Sequence, residues 1–241
     1  MHKQELVETI KSFGAFISEK FYDLFSEENN RLGEEIFREY HNDISLSTGG
    51  LYLAMRLPVE DYWASLVKEH FTNLKNLKPQ TAIELNNKAF SYHTFGFYYD
   101  PSERPERMIT ICSKFGIDGF RSVQPMFEET IKKDPSLWEP HYNIADGLIS
   151  LFTWYEDQEQ DELDKERAFE ELTKVLELDK KNIPARLRLA ARMFEDHVDS
   201  RLLLEDVLEI DPDNEEAKEQ FRLSRKVEYE CGYLTNNPLT S

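Results

Sequence analysis

Basic residues are scarce in this chain of 241 residues. Lysine and arginine together number 29 against 47 aspartates and glutamates, which gives a formal net charge of −18. A chain this acidic lacks the positive surface that general nucleic-acid binding or attachment to anionic membranes requires. The charge permits a basic partner, although acidic surfaces commonly serve only to keep a protein in solution.

Cysteines and long apolar runs are also few. Cys112 and Cys231 lie far apart and form neither a metal-binding nor a redox spacing, which is typical of a reducing compartment. The N-terminus carries Glu5 and Glu8, unlike a signal peptide. The longest stretch without Asp, Glu, Lys or Arg is Ile44–Met55, too short to span a membrane. We therefore expect a cytoplasmic protein without membrane insertion.

Strand signals are nearly absent, and the apolar residues follow helical spacing instead. No Asn-Gly hairpin turn occurs, so the sequence predicts an all-α fold. Leu6, Ile10, Phe13, Ile17 and Leu24 predict one long helix over 3–27. Ser47–Gly50 predicts a loop or a helix break. Further helices are predicted over 31–41, 58–77, 82–98, 106–114 and 123–133.

Three segments share one pattern: residues 127–145, 168–190 and 202–223. In each, an amphipathic helix closes on an aspartate (Asp134, Asp179 or Asp211), and a new helix starts three or four residues later. A helix pair of this size cannot bury its apolar face alone, so recurring pairs predict a stacked arrangement.

The stretch from Asp134 to Ala145 resembles the turn and first helix of a tetratricopeptide repeat (TPR). Its residues 142–145 read Tyr-Asn-Ile-Ala where that family has Tyr-Asn-Leu-Gly, and residues 168, 172 and 175 stand at the family's packing positions. The resemblance is good over 123–228, weak over 79–122 and absent over 1–78. It implies an α-solenoid of antiparallel helix pairs over 79–228, packed with an N-terminal helical region (1–78) and followed by a tail (229–241).

The repeat spacing departs from the family's period of about 34 residues. Pro135 to Lys180 is 45 residues and Lys180 to Pro212 is 32. The surplus lies in an acidic insertion over 153–165. An irregular array of this kind favours a specialised protein over a generic scaffold.

The resemblance also implies a binding surface, because the first helix of each TPR unit lines a concave groove. The implied peptide-binding positions are Glu139, Tyr142, Asp146, Ile149, Leu187, Ala191, Phe194 and Glu219, with an extension at Asn86, Phe90 and His93. This mixture suits a peptide with apolar anchors and a basic residue. An equally weighted alternative is that Phe194 and Ile149 are simply core, occupied by the chain's own N-terminal helices or tail.

Motifs for catalysis, metals and cofactors are incomplete. The acidic insertion resembles the start of a calcium loop, but Glu162 stands where the loop needs glycine. Ser65 and Lys68 form an S-x-x-K motif without its companion elements. The histidines lack metal-ligand spacing, and no phosphate-binding glycine loop is present. Tyr142 and Asp146 stand where a TPR carboxylate clamp has Lys and Asn. We expect no metal, no cofactor and no clamp.

These observations predict a non-catalytic protein–protein interaction module: an adaptor, an assembly factor or a chaperone. The partner is a protein or peptide with basic and apolar anchors. One alternative is a ligand-binding helical protein, such as a transport-accessory component, with a pocket between the array and the N-terminal helices. A less favoured alternative is an enzyme whose site lies in residues 1–120. The oligomeric state stays open.

Overall fold

The computed structural model describes residues 1–56, 62–97, 113–117, 119–151, 158–191 and 199–230. Over these ranges the chain forms eleven α-helices and one 3-10 helix and has no strand, so the all-α prediction is confirmed. None of the described helices combines the length and apolar character needed to cross a membrane. The chain divides into two compact units, residues 1–147 and 148–241. The boundary predicted at 78/79 lies inside the first unit.

The first unit contains seven α-helices and the 3-10 helix. Their bounds are α1 Lys3–Ser12, the 3-10 helix Ser18–Leu24, α2 Glu27–Glu39, α3 Ile44–Ala54, α4 Tyr62–Asn76, α5 Ala82–Phe97, α6 Phe120–Lys133 and α7 Glu139–Leu151, whose last turn belongs to the second unit. The second unit continues with α8 Gln158–Leu178, α9 Ile183–Leu189, α10 Ser200–Ile210 and α11 Glu215–Glu230. Most of the helix predicted over 106–114 lies outside the described residues.

Side-chain caps fix where several helices start. Ser26 accepts a hydrogen bond from the amide of Asn29 at the start of α2, and Asp43 accepts from Leu46 at the start of α3. Thr81 accepts from the amide of Glu84 at 3.1 Å at the start of α5. The short polar stretches between helices therefore act as start signals.

The prediction of one long helix over 3–27 is wrong. Helix α1 ends at Ser12, Gly14 has a φ of +63°, and Ile17 is extended. A left-handed residue at position 14 ends the helix, and glycine adopts that conformation at little cost. Phe16 and Phe21 are fully buried, Phe16 just before the 3-10 helix that follows and Phe21 within it. Tertiary packing therefore overrides the helical spacing of the apolar residues.

The break predicted at Ser47–Gly50 is also wrong, since this stretch lies inside α3. Its glycines allow α2 and α3 to approach closely. A Cβ atom at Gly50 would lie 2.7 Å from both the carbonyl oxygen of Gly33 and the amide nitrogen of Phe37. Glycine is required here for helix packing and not for a turn.

The core of the first unit is rich in aromatic side chains. Helix α3 packs against α1, α2, α4 and α5, and α5 also packs against α6. Leu66, His70 and Leu74 of α4 are buried in this core. A further set of fully buried rings comprises Phe16, Phe21, Phe37, Phe71, Phe90, Phe120 and Phe127. This core holds α5 in place for the site described below.

The second unit is a series of consecutive helix pairs. Helix α9 packs against α8 and α10, and α10 packs against α11. Ala168, Leu172 and Val175 of α8 are fully buried, in agreement with their predicted packing positions. A second cluster is formed by Leu187, Ala190, Leu204, Val207 and Ala217. Small and branched residues thus fill the contacts between neighbouring helices.

The turns that end α8 and α10 have the same hydrogen-bond pattern. Asp179 accepts from the amide of Lys181 at 3.1 Å, and Asn182 then caps α9 by accepting from Ala185 at 2.9 Å. At the next turn Asp211 accepts from Asp213 at 3.2 Å, and Asn214 accepts from Ala217 at 2.9 Å. The repetition in the sequence is therefore a repeated turn structure.

Candidate functional site

Helices α5 and α7 present a shared buried face in the first unit. Each helix contributes an adjacent pair of residues with further residues three positions away: Asn86, Asn87, Phe90 and His93 on α5, and Glu139, Tyr142, Asn143 and Asp146 on α7. The two helices meet where the Asn143 side-chain amide donates to the Asn86 side-chain oxygen at 3.3 Å. His93 Nε2 lies 3.9 Å from a carboxylate oxygen of Asp146. We call this set the α5–α7 face.

Residues 14–24, which we call the covering segment, lie on the α5–α7 face. Asn87 pairs with the backbone of this segment at two residues: its side-chain oxygen accepts from the Phe16 amide at 2.8 Å, and its side-chain nitrogen donates to the Gly14 carbonyl at 3.0 Å. A neighbouring β-strand offers the same donor and acceptor pair to an extended chain. Asn87 therefore holds this stretch as a strand partner would.

The carbonyl oxygen of Phe16 receives two further hydrogen bonds. Asn143 donates to it at 2.8 Å and Asn86 donates at 3.2 Å. All three asparagines are buried, so these bonds form away from water. Hydrogen bonds to the main chain recognise an extended segment whatever its side chains are, and side-chain pockets add the selectivity.

The Phe16 ring supplies an apolar anchor. It is fully buried, and its centroid lies 5.1 Å from the Phe21 ring and 6.0 Å from the Phe90 ring, both edge-to-face. Such arrangements are favoured by the aromatic quadrupole. The face therefore combines a backbone-binding row of amides with an aromatic pocket.

Polar contacts hold the other end of the covering segment. The Tyr142 hydroxyl donates to Glu19, and the Lys20 ammonium group lies 2.9 Å from a carboxylate oxygen of Glu139. Lys20 also lies 5.3 Å from the centroid of the Trp138 ring. The Lys20 and Glu139 side chains are only 19% and 10% exposed, so this ion pair is screened less than a surface pair.

The covering segment is held firmly. Phe16, Ile17, Phe21 and Leu24 are buried, and transferring each of them to water costs about 2 kcal/mol. Complete release therefore costs on the order of 8 kcal/mol before any hydrogen bonds are counted. An external peptide reaches this face only if it replaces these contacts.

The sequence-predicted groove positions fall into two groups. Those of the first unit are brought together on the α5–α7 face. The covering segment contacts Glu139, Tyr142, Asn86 and Phe90. His93 lies beside Asp146 and packs against the Phe120 ring of α6. Those of the second unit are not gathered by any described contact. Leu187 lies in the core cluster, Ile149 and Ala191 are half-buried, Glu219 is exposed and pairs with Arg222, and Phe194 is outside the described residues. Their role toward a partner stays a prediction.

Sequence reasoning missed Asn87, Phe16 and Glu19 as parts of this face. One local signal was available. Asn86 and Asn87 stand side by side within the predicted helix 82–98, although asparagine is a poor helix former. Two adjacent amides in a helix indicate side chains with hydrogen-bonding roles.

A second buried polar cluster lies between α3, α4 and α5. His70 Nε2 lies 2.7 Å from the Ser91 hydroxyl and 3.4 Å from the Thr48 hydroxyl. All three residues are fully buried, and burial lowers the pKa of His70 to about 3. A serine–histidine pair without access to solvent holds helices together and does not meet a substrate.

Other features of the described ranges do not form a site. No group of three or more His, Cys, Asp or Glu residues there is arranged to hold a metal ion. A shallow depression on α2 is lined by Glu27, Glu28, Arg31, Leu32 and Glu35. No protein-family model matches the chain, and comparisons with curated proteins and with solved structures find no significant match. The function is therefore argued from the α5–α7 face.

Proposed function

We propose that the chain is a non-catalytic protein-interaction module built from TPR-like antiparallel helix pairs, and that the α5–α7 face binds an extended peptide segment. One observation carries the proposal. The side-chain amides of Asn86, Asn87 and Asn143 hydrogen-bond main-chain atoms of the covering segment at Gly14 and Phe16. This is the chemistry by which peptide-binding domains recognise a backbone.

The helix pairs of the second unit support the TPR-like part of the proposal. The turns at Asp179 and Asp211 have matching hydrogen bonds, so the chain reverses direction in the same way at both. Small buried residues such as Ala168, Ala190 and Ala217 let the neighbouring helices approach closely. Repeated pairs of this kind commonly present extended binding surfaces.

A peptide occupant fits the first unit better than a small molecule does. A stretch of polypeptide occupies the α5–α7 face. Its main chain binds Asn87, its Phe16 ring packs against Phe90, and its Lys20 pairs with Glu139. The depression on α2 is instead open, and four of its five lining residues are charged, which is unlike the mostly apolar, enclosed pockets that bind small ligands. We therefore favour an adaptor, assembly-factor or chaperone role over ligand transport.

We propose the compartment and the charge of the partner from the cysteine usage, the net charge and the burial of Glu139. The cysteine usage is typical of a reducing compartment, so we propose action in the cytoplasm. The net charge of −18 and the buried Glu139 carboxylate favour a partner segment that carries a basic residue close to an apolar anchor.

Selection from a peptide-display library tests this proposal. The library is selected on the full chain and on its Phe16→Ala variant, in which the covering segment lacks its anchor. We expect enriched peptides that contain an aromatic residue, and we expect Asn87→Leu combined with Asn143→Leu to abolish their binding. The matched control is Asn76→Leu, an exposed asparagine of α4 outside the face, which should retain binding. Absence of any enriched peptide on either chain would overturn the proposal.

A further inference from the structure

We propose that the covering segment is a built-in competitor, and that the partner displaces it with the same pattern: an aromatic residue followed at the third position by an acid and at the fourth by a base. In this chain the pattern is Phe16, Glu19 and Lys20. The inference rests on the proposed function and adds to it both the partner's chemistry and a means of regulation.

The covering segment is bounded so that it can move while its neighbours stay in place. Helix α1 packs against α2 and α3 through contacts of its own, with Leu6 and Ile10 fully buried. Gly14 follows with a φ of +63°, and a Cβ atom added there would meet nothing within 4 Å. Ser26 then caps α2. A glycine in open space and an independently capped helix thus flank the segment.

The conformation of the covering segment depends on the face that holds it. Residues 18–24 form a 3-10 helix of seven residues, whereas such helices rarely extend beyond three or four. The Gly14 carbonyl and the Phe16 amide and carbonyl bind asparagine side chains of α5 and α7. Because residues 14–24 contain no α-helix, the segment can be exchanged without unfolding an α-helix of the core.

A separate peptide can supply each of the contacts that the covering segment makes with the α5–α7 face. The asparagines bind main-chain atoms, the aromatic pocket takes one ring, and the polar end offers a tyrosine hydroxyl to an acid and Glu139 to a base. Because the covering segment is tethered at both ends, its effective concentration is high. The apparent affinity for a partner is then reduced by the small fraction of molecules in which the face is open.

Fluorescence anisotropy with a synthetic peptide tests the inference. The probe is residues 13–24 of this chain, acetylated, amidated and labelled with fluorescein. The Phe16→Ala chain should bind it at least tenfold more tightly than the unchanged full chain does. A probe that itself carries Phe16→Ala should bind neither chain. The matched control is Tyr22→Ala, which changes a 53% exposed side chain of the same segment and should leave the affinity as in the unchanged chain.

A second variant guards against loss of folding. Helical content and cooperative unfolding are first measured for Phe16→Ala. If that variant does not fold, the double variant Glu19→Gln with Lys20→Gln replaces it. It weakens the contacts of Glu19 and Lys20, including the hydrogen bonds that Lys20 donates to the Phe13 and Ala15 carbonyls, and keeps the Phe16 ring. At least threefold tighter binding is expected. Folded variants that bind the probe no more tightly than the unchanged chain would overturn the inference. Display peptides that lack the pattern and do not compete with the probe would overturn it too, while leaving the proposed function standing.

Discussion

The side-chain amide of Asn143 donates a hydrogen bond to the carbonyl oxygen of Phe16 at 2.8 Å, across 127 residues of sequence. This bond ties α7 to a stretch near the N-terminus. Since both groups are buried, the strength of the contact is testable through stability.

Replacing Asn143 by alanine should lower the free energy of unfolding by about 1–3 kcal/mol, because the buried Phe16 carbonyl loses one of its donors. Urea denaturation measures the change. Asn76→Ala is the control, since Asn76 is exposed on α4, and its effect should stay within about 0.5 kcal/mol. Equal effects of the two substitutions would show that the hydrogen bond from Asn143 does not measurably stabilise the fold.

Replacing Gly50 by alanine should destabilise the first unit by about 2 kcal/mol or more, because the new Cβ atom meets backbone atoms of α2 that cannot move aside. Gly49→Ala is a matched control on the same helix. Its Cβ atom would lie 2.7 Å from the Cγ2 atom of Ile10, a side-chain atom and not a backbone atom. The melting temperature of Gly50→Ala should be well below that of Gly49→Ala. The reverse order would contradict the close approach of α2 and α3.

Burial of His70 predicts a loss of stability in acid. In the folded chain the pKa of His70 is about 3, below the unfolded value of about 6.5. Above pH 6.5 the imidazole is neutral in both states. As the pH falls from 6.5 toward 3, only the unfolded state binds the proton, so the free energy of unfolding decreases. Between pH 6 and pH 4 the unfolding free energy should fall by about 2 kcal/mol from this group. The variant His70→Gln should flatten that slope in urea titrations, whereas the exposed His41→Gln should not. An unchanged slope in His70→Gln would contradict the buried neutral histidine.

The ion pair between Lys20 and Glu139 should show strong coupling. Lys20→Met alone leaves the carboxylate of Glu139 buried without its partner, so it should cost more than Lys20→Met made together with Glu139→Gln. The double-mutant cycle should give a coupling energy of at least about 1 kcal/mol. The exposed pair Arg31 and Glu27 should give coupling within experimental error. Similar coupling in both pairs would argue against a tightly held covering segment.

Local signals in the sequence predicted the helices well where those signals also decide the structure. Thr81 starts α5, and the aspartate turns at Asp179 and Asp211 recur as expected. Helix α10 ends at Ile210, directly before Asp211, where the sequence pattern places its end. In these places caps and turn residues act within a few positions of one another, so sequence spacing carries the information.

The covering segment was not predictable in the same way. Its spacing of apolar residues fits a helix, yet Phe16 and Phe21 are buried from an extended stretch and a 3-10 helix. The deciding contacts, from Asn87 and Asn143, come from residues 71 and 127 positions away. Whether a groove is open or filled depends on such long-range contacts, which no local pattern encodes.

Photo-crosslinking tests the central claim most directly. A peptide of residues 13–24 with benzoylphenylalanine in place of Phe16 is irradiated with the folded Phe16→Ala chain, and the adducts are mapped by mass spectrometry. We predict crosslinks on α5 or α7 near Phe90, with loss of the signal when unlabelled peptide is in excess. Crosslinks confined to other helices, or none at all, would contradict a peptide-binding role for the α5–α7 face.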